Sequence, residues 1–501
     1  MKNKTGVCRA LLLVGMGLMI PCYLFTAGNT LLSPWPLYDR NRLALCLLTP
    51  LCLLLLLLLG RAAKAKVFET HERAVLLGFA AFYFVIQLVM ASALRFTPVT
   101  DLEQCVTAAR RLAQTGAFGN SERSLIYFGR YPHNMGLVYL LAGIFKAADA
   151  LGADELMAAA LVCGLLFSMG LLCAARLCRR LGGAQAQARA LLLFATCLPF
   201  LYCTSELYTD AFSVAFAPMI VFAFLKARDA GSRKERALWA LLFAVCTFLG
   251  AQIRFPTIIA AIACLIAALF EKRAKLTALL AAPLALVFAV GGSAVNAANK
   301  ANLGAANIAQ NKLPKLHYIA MGLPVQSDEG YGQYGYGGWL IFSTSFDDPQ
   351  ARDEALRQEV VDRAYTLAHH PAQLLSTLSR KNLSTFGRGT FNLNEIFEAD
   401  AHEADNAVKQ AVFENGRFNR AYTHLATAMF VAQMALACIA CIQAIRRRDT
   451  RAAPLFLTLL GAFLFLSIWE TRARYFFQFM MILLCAGAMF ETPSTHAAQK
   501  A

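Results

Sequence analysis

Two carboxylates follow a turn early in this sequence of 501 residues, in the stretch RFTPVTDLEQ at 95–104. Pro98 ends the preceding apolar segment, because proline cannot continue a helix. Asp101 and Glu103 come directly after this turn. A carboxylate within hydrogen-bond reach of a hydroxyl group can accept its proton during reaction. Asp101 and Glu103 are therefore candidate site residues.

Asp101 also has a purely structural interpretation, because Thr100 or Asp101 could cap the start of a helix. The apolar residues that follow recur at helical spacing: Leu102, Val106, Ala109 and Leu112. The spacing predicts an amphipathic helix over 101–114 with a carboxylate at its start.

A second polar group lies at 127–136, in YFGRYPHNMG, where Arg130, Tyr131 and His133 precede a short apolar segment. These polar and aromatic side chains are candidate site residues. They could equally form an ordinary interfacial belt of tyrosine and arginine at a membrane surface.

Three short turns between apolar segments also carry ionisable side chains, at 206–210, 254–256 and 469–475. Ionisable groups at membrane depth are costly and usually have a function. Arginine side chains in such turns suit a phosphate group. The alternative is a structural salt bridge, for example between Glu470 and Arg472 or Arg474. The candidate binding residues in these turns are Asp210, Arg254, Glu470, Arg472 and Arg474.

The apolar segments that position these residues indicate a membrane protein. Hydrophobic residues make up 58% of the chain and charged residues only 16%, with a mean hydropathy of +0.50. Soluble domains carry about a quarter charged residues. Runs such as 43–60 and 74–94 are long enough to cross a bilayer as helices. The sequence predicts an all-α polytopic membrane protein.

Clusters of basic residues set the predicted topology, since such clusters remain on the cytoplasmic side. They lie at 61–73, 176–189, 226–236, 272–275 and 446–451. An inside N-terminus places all of them there if the segment 135–148 lies on the outer surface as an interfacial helix. About twelve transmembrane helices are predicted, near 7–27, 43–60, 74–94, 155–177, 187–204, 210–226, 236–252, 255–270, 276–296, 421–445, 454–469 and 475–490.

This topology divides the chain into four parts. Residues 1–73 hold two transmembrane helices and a cytoplasmic loop, and 74–296 form a transmembrane core that includes the outer loop 95–154. Residues 297–420 are the only long polar stretch and are predicted to form a small outer domain. Residues 421–501 hold the last helices and a cytoplasmic tail. Residues 7–27 are interpreted as a membrane helix and not as a cleaved signal peptide.

Two classes of site are excluded by the residue pattern. The net charge of +16 comes mostly from basic residues at the ends of apolar runs, and no nucleic-acid-binding module is present, so nucleic acid is not an expected partner. Most of the fifteen cysteines lie inside apolar runs, with spacings that suit neither a disulfide framework nor a zinc site.

The order of these motifs resembles the GT-C superfamily of membrane glycosyltransferases. It is most similar to the bacterial branch of protein O-mannosyltransferases and lipid A aminoarabinose transferases. The resemblance runs from about residue 74 onward. It depends on the early Asp101, the Tyr-Pro motif at 131–132, the turns at 209–210 and 470–475, and the segment FGRGTF at 386–391. Two features depart from the family: two helices precede the acidic loop, and the loop reads Asp-Leu-Glu instead of an adjacent acidic pair.

The resemblance implies an activity and a role for each candidate residue. The donor would be a polyprenyl-phosphate sugar, and a single displacement on the outer face of the cytoplasmic membrane would invert the anomeric centre. Asp101, or else Glu103, would be the base. Arg254, Arg472 and Arg474, and less favourably Arg130, would stabilise the phosphate. The acceptor could be a glycan, a lipid or a protein.

The remaining residues have less specific roles under this resemblance. Asp210 would orient an arginine, or hold a divalent cation together with Asp101. Tyr131 and His133 would shape the pocket for the sugar or the acceptor.

Other functions also fit a polytopic membrane protein. A transporter or flippase of lipid-linked sugars would favour broken helices at mid-membrane and paired repeats, and neither is evident in the sequence. A polymerase or ligase of cell-surface polysaccharide shares the donor chemistry and is not separated by the sequence.

Overall fold

The structure is a computed structural model that describes residues 2–33, 41–63, 65–94, 97–119, 121–326, 329–393, 406–413 and 416–491. Helices are its regular elements throughout these ranges, as the sequence predicts. The first seven helices are α1 Lys2–Gly17, α2 Met19–Leu32, α3 Arg42–Ala62, α4 Ala65–Ala93, α5 Thr100–Thr115, α6 Glu122–Arg130 and α7 Met135–Ala150.

The middle of the chain continues with six α-helices, of which α9 has only five residues. They are α8 Glu155–Ala195, α9 Thr209–Ser213, α10 Phe216–Asp229, α11 Arg233–Ile253, α12 Ile258–Phe270 and α13 Ala274–Leu303. The polar stretch that follows holds α14 Ala305–Asn311, α15 Lys315–Gly322, α16 Trp339–Thr344, α17 Pro349–His369, α18 Pro371–Phe386 and α19 Ala407–Val412. The chain then forms α20 Asn419–Arg446, α21 Ala453–Ile468 and α22 Met480–Ala488.

Within the described residues, eight helical segments are long and apolar enough to cross a membrane. They are Gly6–Leu32, Arg42–Ala62, Lys66–Ala93, Glu155–Ala195, Thr209–Asp229, Arg233–Ile253, Ala274–Leu303 and Asn419–Arg446. Three shorter apolar helices, Phe255–Phe270, Ala453–Ile468 and Ala473–Ala488, coincide with further predicted crossings. The chain is thus an all-helical integral membrane protein, and the count of twelve crossings stays a prediction.

The sequence predicts separate helices at 155–177 and 187–204, whereas α8 continues through the gap between them. A kink at Gly182 and Gly183 interrupts it, and Gly183 has a φ of 74° that favours glycine. The second predicted helix ends early, at Ala195, and a 3-10 turn at Leu198–Leu201 with Pro199 near its start follows.

The membrane helices have one basic end and one end that carries the candidate site residues. At the basic end, Arg228 of α10 lies 4.0 Å from Glu271, which follows α12. Arg9 of α1 donates to the carbonyl oxygen of Arg448, next to the end of α20. The turns at 209–210, 254–256 and 469–475 meet at the opposite end, where Asp210 lies beside Arg254 and Arg474.

The polar stretch at 297–420 packs against this second end. Part of it has a small hydrophobic cluster of its own, formed by Ala320, Met321, Trp339 and Leu356. Its helix α18 is joined to α2 by a hydrogen bond of 2.8 Å from Asn382 Nδ2 to Thr26 Oγ1. An independent outer domain stays a prediction, because residues 327–328, 394–405 and 414–415 of this stretch lie outside the described ones.

Candidate active site

A cavity of about 590 Å³ lies at the end of the helices opposite the basic clusters. Its walls come from α5, α6, the turns before α9 and after α11, and the turn after α21. Nine of the ten candidate site residues line it: Asp101, Glu103, Arg130, Tyr131, His133, Arg254, Glu470, Arg472 and Arg474. The tenth, Asp210, lies directly behind Arg254 and Arg474.

Asp101 lies in the first turn of α5 and faces the cavity. The Tyr127 hydroxyl donates to Asp101 Oδ1 over 2.8 Å, and the Tyr208 hydroxyl donates to Oδ2 over 3.4 Å. The capping interpretation of Thr100 and Asp101 is wrong, because the cap of α5 is Val99 and no side chain caps the helix. The Asp101 carboxylate is therefore oriented by two phenols and not by helix amides.

The backbone that presents Asp101 and Tyr208 is strained. Thr100 and Leu207, each directly before one of them, have φ angles of 52° and 50°. Residues with side chains rarely adopt this left-handed region, and such strain concentrates at functional sites. Glu103 also reaches the cavity, but it lies on the exposed side of α5.

Asp210 is fully buried between two arginines. Its Oδ1 lies 3.2 Å from Arg254 Nε, and its Oδ2 lies 3.3 Å from Arg474 Nε. The guanidinium of Arg254 lies over the ring of Tyr475, 4.2 Å from its centroid, and that of Arg474 lies 5.3 Å from the centroid of Tyr208. Asp210 thus orients the two arginines toward the cavity, which is the first of its two predicted roles.

The second predicted role, a divalent cation between Asp101 and Asp210, does not fit this geometry. Both carboxylate oxygens of Asp210 face guanidinium groups, which would repel a cation. Among the described residues, no group of three or more histidine, cysteine, aspartate or glutamate side chains could hold a metal ion.

Glu470 is a third carboxylate of the cavity and is only 7% exposed. The hydroxyl of Tyr475 donates to its Oε1. Burial raises the pKa of Glu470 to about 7, although the nearby Arg472, Arg254 and Arg474 act in the opposite direction. Glu470 therefore changes charge near neutral pH, and the positive charge of this wall changes with it.

His133 lies between the rings of Tyr131 and Tyr318, at centroid distances of 6.1 and 6.4 Å and nearly edge-on. His133 is exposed at the wall of the cavity, although protein atoms crowd around much of its imidazole. Burial and the charge of Arg254 lower the pKa of His133 to about 4. The imidazole is consequently neutral at physiological pH. It can form a hydrogen bond with a hydroxyl group, but it carries no positive charge that would attract an anion.

The glycine-rich segment at 329–338 closes one side of the cavity. Its Tyr334 hydroxyl lies 2.8 Å from the Tyr131 hydroxyl, and Arg472 Nη2 donates to the Tyr334 carbonyl over 3.3 Å. The Thr471 amide donates to the Gly332 carbonyl over 2.8 Å. The segment therefore joins the early loop to the turn after α21.

The comparisons with known proteins bear on the whole chain. The model of one family, described as "conserved hypothetical integral membrane protein", matches residues 41–495. The chain belongs to this family. Comparison with curated proteins and with solved structures gave no match. The family description states a membrane location and no activity, so the resemblance to GT-C glycosyltransferases stays a prediction.

Several cavity residues of this family member are not among the sequence candidates. They are tyrosines that hold or cover the charged groups: Tyr127, Tyr208, Tyr318, Tyr334 and Tyr475. Tyr127, Tyr208 and Tyr475 lie within the polar motifs that the sequence singles out, whereas Tyr318 and Tyr334 come from the polar stretch at 297–420. Their repetition beside charged residues is the signal that could have identified them.

The segment at 386–391, which contributes to the resemblance, does not line the cavity. Gly389 packs so closely on α20 that an added Cβ would lie 2.2 Å from the Ala426 carbonyl oxygen. Phe391 packs against Phe430 and Phe477, at ring-centroid distances of 5.0 and 5.5 Å. This segment has a packing role.

Proposed function

We propose that this protein is a membrane glycosyltransferase that moves a sugar from a polyprenyl-phosphate donor to an acceptor hydroxyl. The observation that supports this most is the meeting, in one cavity, of an oriented carboxylate, Asp101, with the arginines Arg254, Arg472 and Arg474. An alcohol that attacks a sugar phosphate needs both a proton acceptor and a cation for the leaving group.

Asp101 is the proposed base. The acceptor oxygen forms a bond to the anomeric carbon, the bond from that carbon to the phosphate oxygen breaks, and the hydroxyl proton passes to Asp101. The hydrogen bonds from Tyr127 and Tyr208 fix the carboxylate before the acceptor arrives. One displacement inverts the anomeric centre and needs no covalent intermediate.

The cavity wall that carries Arg254, Arg472 and Arg474 is the proposed site of the donor phosphate. Asp210 holds Arg254 and Arg474 by their Nε atoms. Guanidinium groups match phosphate oxygens with paired hydrogen bonds. Because they are fixed beforehand, they stabilise the charge that develops on the leaving phosphate without reorganisation.

The membrane helices around the cavity suit a donor with a lipid tail. The basic ends of these helices lie opposite the cavity, which under the positive-inside rule supports the proposed location of the cavity on the outer face of the bacterial cytoplasmic membrane. The sugar would react outside while the polyprenyl chain stays in the bilayer.

The test uses purified protein in detergent micelles with polyprenyl-phosphate hexoses and pentoses as donors and an envelope extract as acceptor. Release of polyprenyl phosphate, followed by mass spectrometry, is expected with the unaltered protein. Asp101→Asn should lower this release by about 100-fold or more, as expected for loss of a general base. Asp149→Asn, which removes an exposed carboxylate at the end of α7, should have no effect.

Glu103→Gln separates the two candidate bases, since it should retain most of the activity. Equal activity of Asp101→Asn and the unaltered protein would remove the assignment of the base. Movement of lipid-linked sugar across vesicles with no covalent product would overturn the proposed reaction and favour a transporter.

A further inference from the structure

Helix α6 presents two arginines to the cavity, and neither of them belongs to the charged groups described above. Arg123 and Arg130 both line it. They are seven residues apart, which places them on the same side of the helix and about 10 Å apart along its axis. Tyr127 lies between them in the sequence and donates to Asp101. The two arginines therefore flank the residue that orients the proposed base.

These arginines differ from the pair that Asp210 holds. Among the described residues, neither Arg123 nor Arg130 lies within 4.0 Å of a carboxylate oxygen. Arg130 Nε is in addition buried, and no described residue accepts its hydrogen. A buried donor without an acceptor is unfavourable. A bound oxyanion would satisfy it with a charge-assisted hydrogen bond.

The position of α6 does not depend on its arginines. Phe128 is fully buried in the main core. Asn307 of α14 donates to the Leu125 carbonyl over 2.9 Å, and the Leu313 amide donates to the Arg130 carbonyl over 3.2 Å. Backbone contacts and one aromatic side chain thus hold the helix, which leaves both guanidinium groups available to a ligand.

We infer that Arg123 and Arg130 form a second anion-binding site, separate from the wall of Arg254 and Arg474, that takes a phosphate group. This inference rests on the proposed function for the identity of its ligand. The neighbouring Tyr127 and Asp101 must reach the acceptor hydroxyl, so the anion belongs to the acceptor. A second phosphate on the donor offers the same chemistry, and the experiment separates these two sources.

The experiment measures binding to the full-length protein in detergent micelles by calorimetry, with inorganic pyrophosphate as the probe. With polyprenyl phosphate already saturating, one pyrophosphate per protein should still bind. Arg123→Gln with Arg130→Gln should weaken that binding by about tenfold or more, because each lost contact is a charge-assisted hydrogen bond. Arg357→Gln is the matched control, since Arg357 is an exposed arginine of α17 paired with Glu354.

A second titration compares polyprenyl diphosphate with polyprenyl monophosphate. Equal affinity for the two lipids, together with the retained pyrophosphate site, assigns the anion to the acceptor. Tighter binding of the diphosphate that disappears in the double variant assigns it to the donor. If polyprenyl phosphate displaces pyrophosphate completely and the diphosphate lipid binds no more tightly than the monophosphate, the second site is overturned. An unchanged affinity in the double variant also overturns it.

Arg123→Gln alone keeps the test decisive if the double variant does not fold, because Arg123 is exposed. Arg130→Lys provides a further check, since it keeps the charge but loses the buried Nε donor. These titrations measure binding without turnover. Failure of the transferase proposal would appear as absent transfer with Asp101 intact, whereas failure of this inference would appear as a missing pyrophosphate site.

Discussion

Two buried groups of carboxylate and arginine in this protein differ in their balance of charge. In the cavity wall, the single carboxylate of Asp210 faces both Arg254 and Arg474. Beside the cavity, Glu329 faces one arginine, and its Oε1 lies 2.6 Å from Arg363 Nη2. The first group carries an excess positive charge, whereas in the second Arg363 is balanced by Glu329 and also by Glu359, whose Oε2 lies 3.2 Å from Arg363 Nε.

Their hydrogen bonds differ in the same way. Glu329 Oε2 accepts the amides of Val325 and Gln326 over 2.7 and 2.8 Å, and Arg363 Nη1 donates to the Leu323 carbonyl over 3.1 Å. The same guanidinium lies 4.4 Å from the centroid of the Trp339 ring. The Glu329 pair thus satisfies itself within the protein and acts as an anchor, while the Asp210 group retains positive charge at a cavity and suits a ligand.

Asp210→Asn should have the largest effect, because it leaves the half-buried Arg254 and the buried Arg474 without their shared carboxylate. Loss of one partner of a buried ion pair costs about 3–5 kcal/mol of the free energy of unfolding. Transfer should also fall by about 100-fold, as for other preorganised charges. Thermal unfolding in micelles and polyprenyl phosphate release measure the two effects.

Asp229→Asn is the control for this variant, since it removes a carboxylate at the opposite, basic end of the same helical segment. If Asp210→Asn reduced stability and left transfer intact, the Asp210 group would be an anchor like the Glu329 pair, and the contrast between them would disappear.

Glu329→Gln should affect stability alone. It leaves the buried Arg363 with only the partly exposed Glu359 as counter-charge and should lower the free energy of unfolding by about 3 kcal/mol. Affinity of the folded protein for polyprenyl phosphate, measured by calorimetry, should stay largely unchanged. Glu354→Gln breaks an exposed pair with Arg357 and should change stability by less than about 1 kcal/mol. A selective loss of affinity in Glu329→Gln would mean that this pair belongs to the binding site.

Glu470→Gln should have the smallest effect, and it sharpens the comparison through pH. Below pH 7 Glu470 is protonated and neutral, and above its pKa of about 7 it is ionised and offsets one arginine. Affinity for polyprenyl phosphate should therefore fall as pH rises through 7. The fall is about tenfold if the bound phosphate raises the pKa of Glu470 by one unit. The variant should lack this fall. The phosphate itself has a second ionisation with a pKa near 6. This ionisation affects both proteins equally, so subtracting one pH profile from the other removes its contribution.

Glu354→Gln should keep the pH profile of the unaltered protein in this measurement. Identical profiles for Glu470→Gln and the unaltered protein would show that the charge of Glu470 does not reach the bound phosphate.

Local patterns predict much of the fold and most of the charged residues that line the cavity. The spacing of Leu102, Val106 and Ala109 predicts α5, whose inner face buries all three. The capping role of Asp101 could not be rejected from sequence, because the competing partners Tyr127 and Tyr208 lie 26 and 107 positions away. Likewise the union of α8 across 178–186 depends on packing, since glycines there permit either a break or a kink.

The sequence by itself determined that this chain lies in a membrane, because apolar segments of spanning length are a local property of composition. It also identified the turns with ionisable groups as candidate sites, because such groups are costly between apolar helices. Only the tertiary structure decided the partners. It gave Asp210 two arginines, gave Asp101 two tyrosines and brought Tyr334 to the cavity. The physical reason is that hydrogen bonds and ion pairs act over a few ångströms in space, whereas their partners are far apart along the chain.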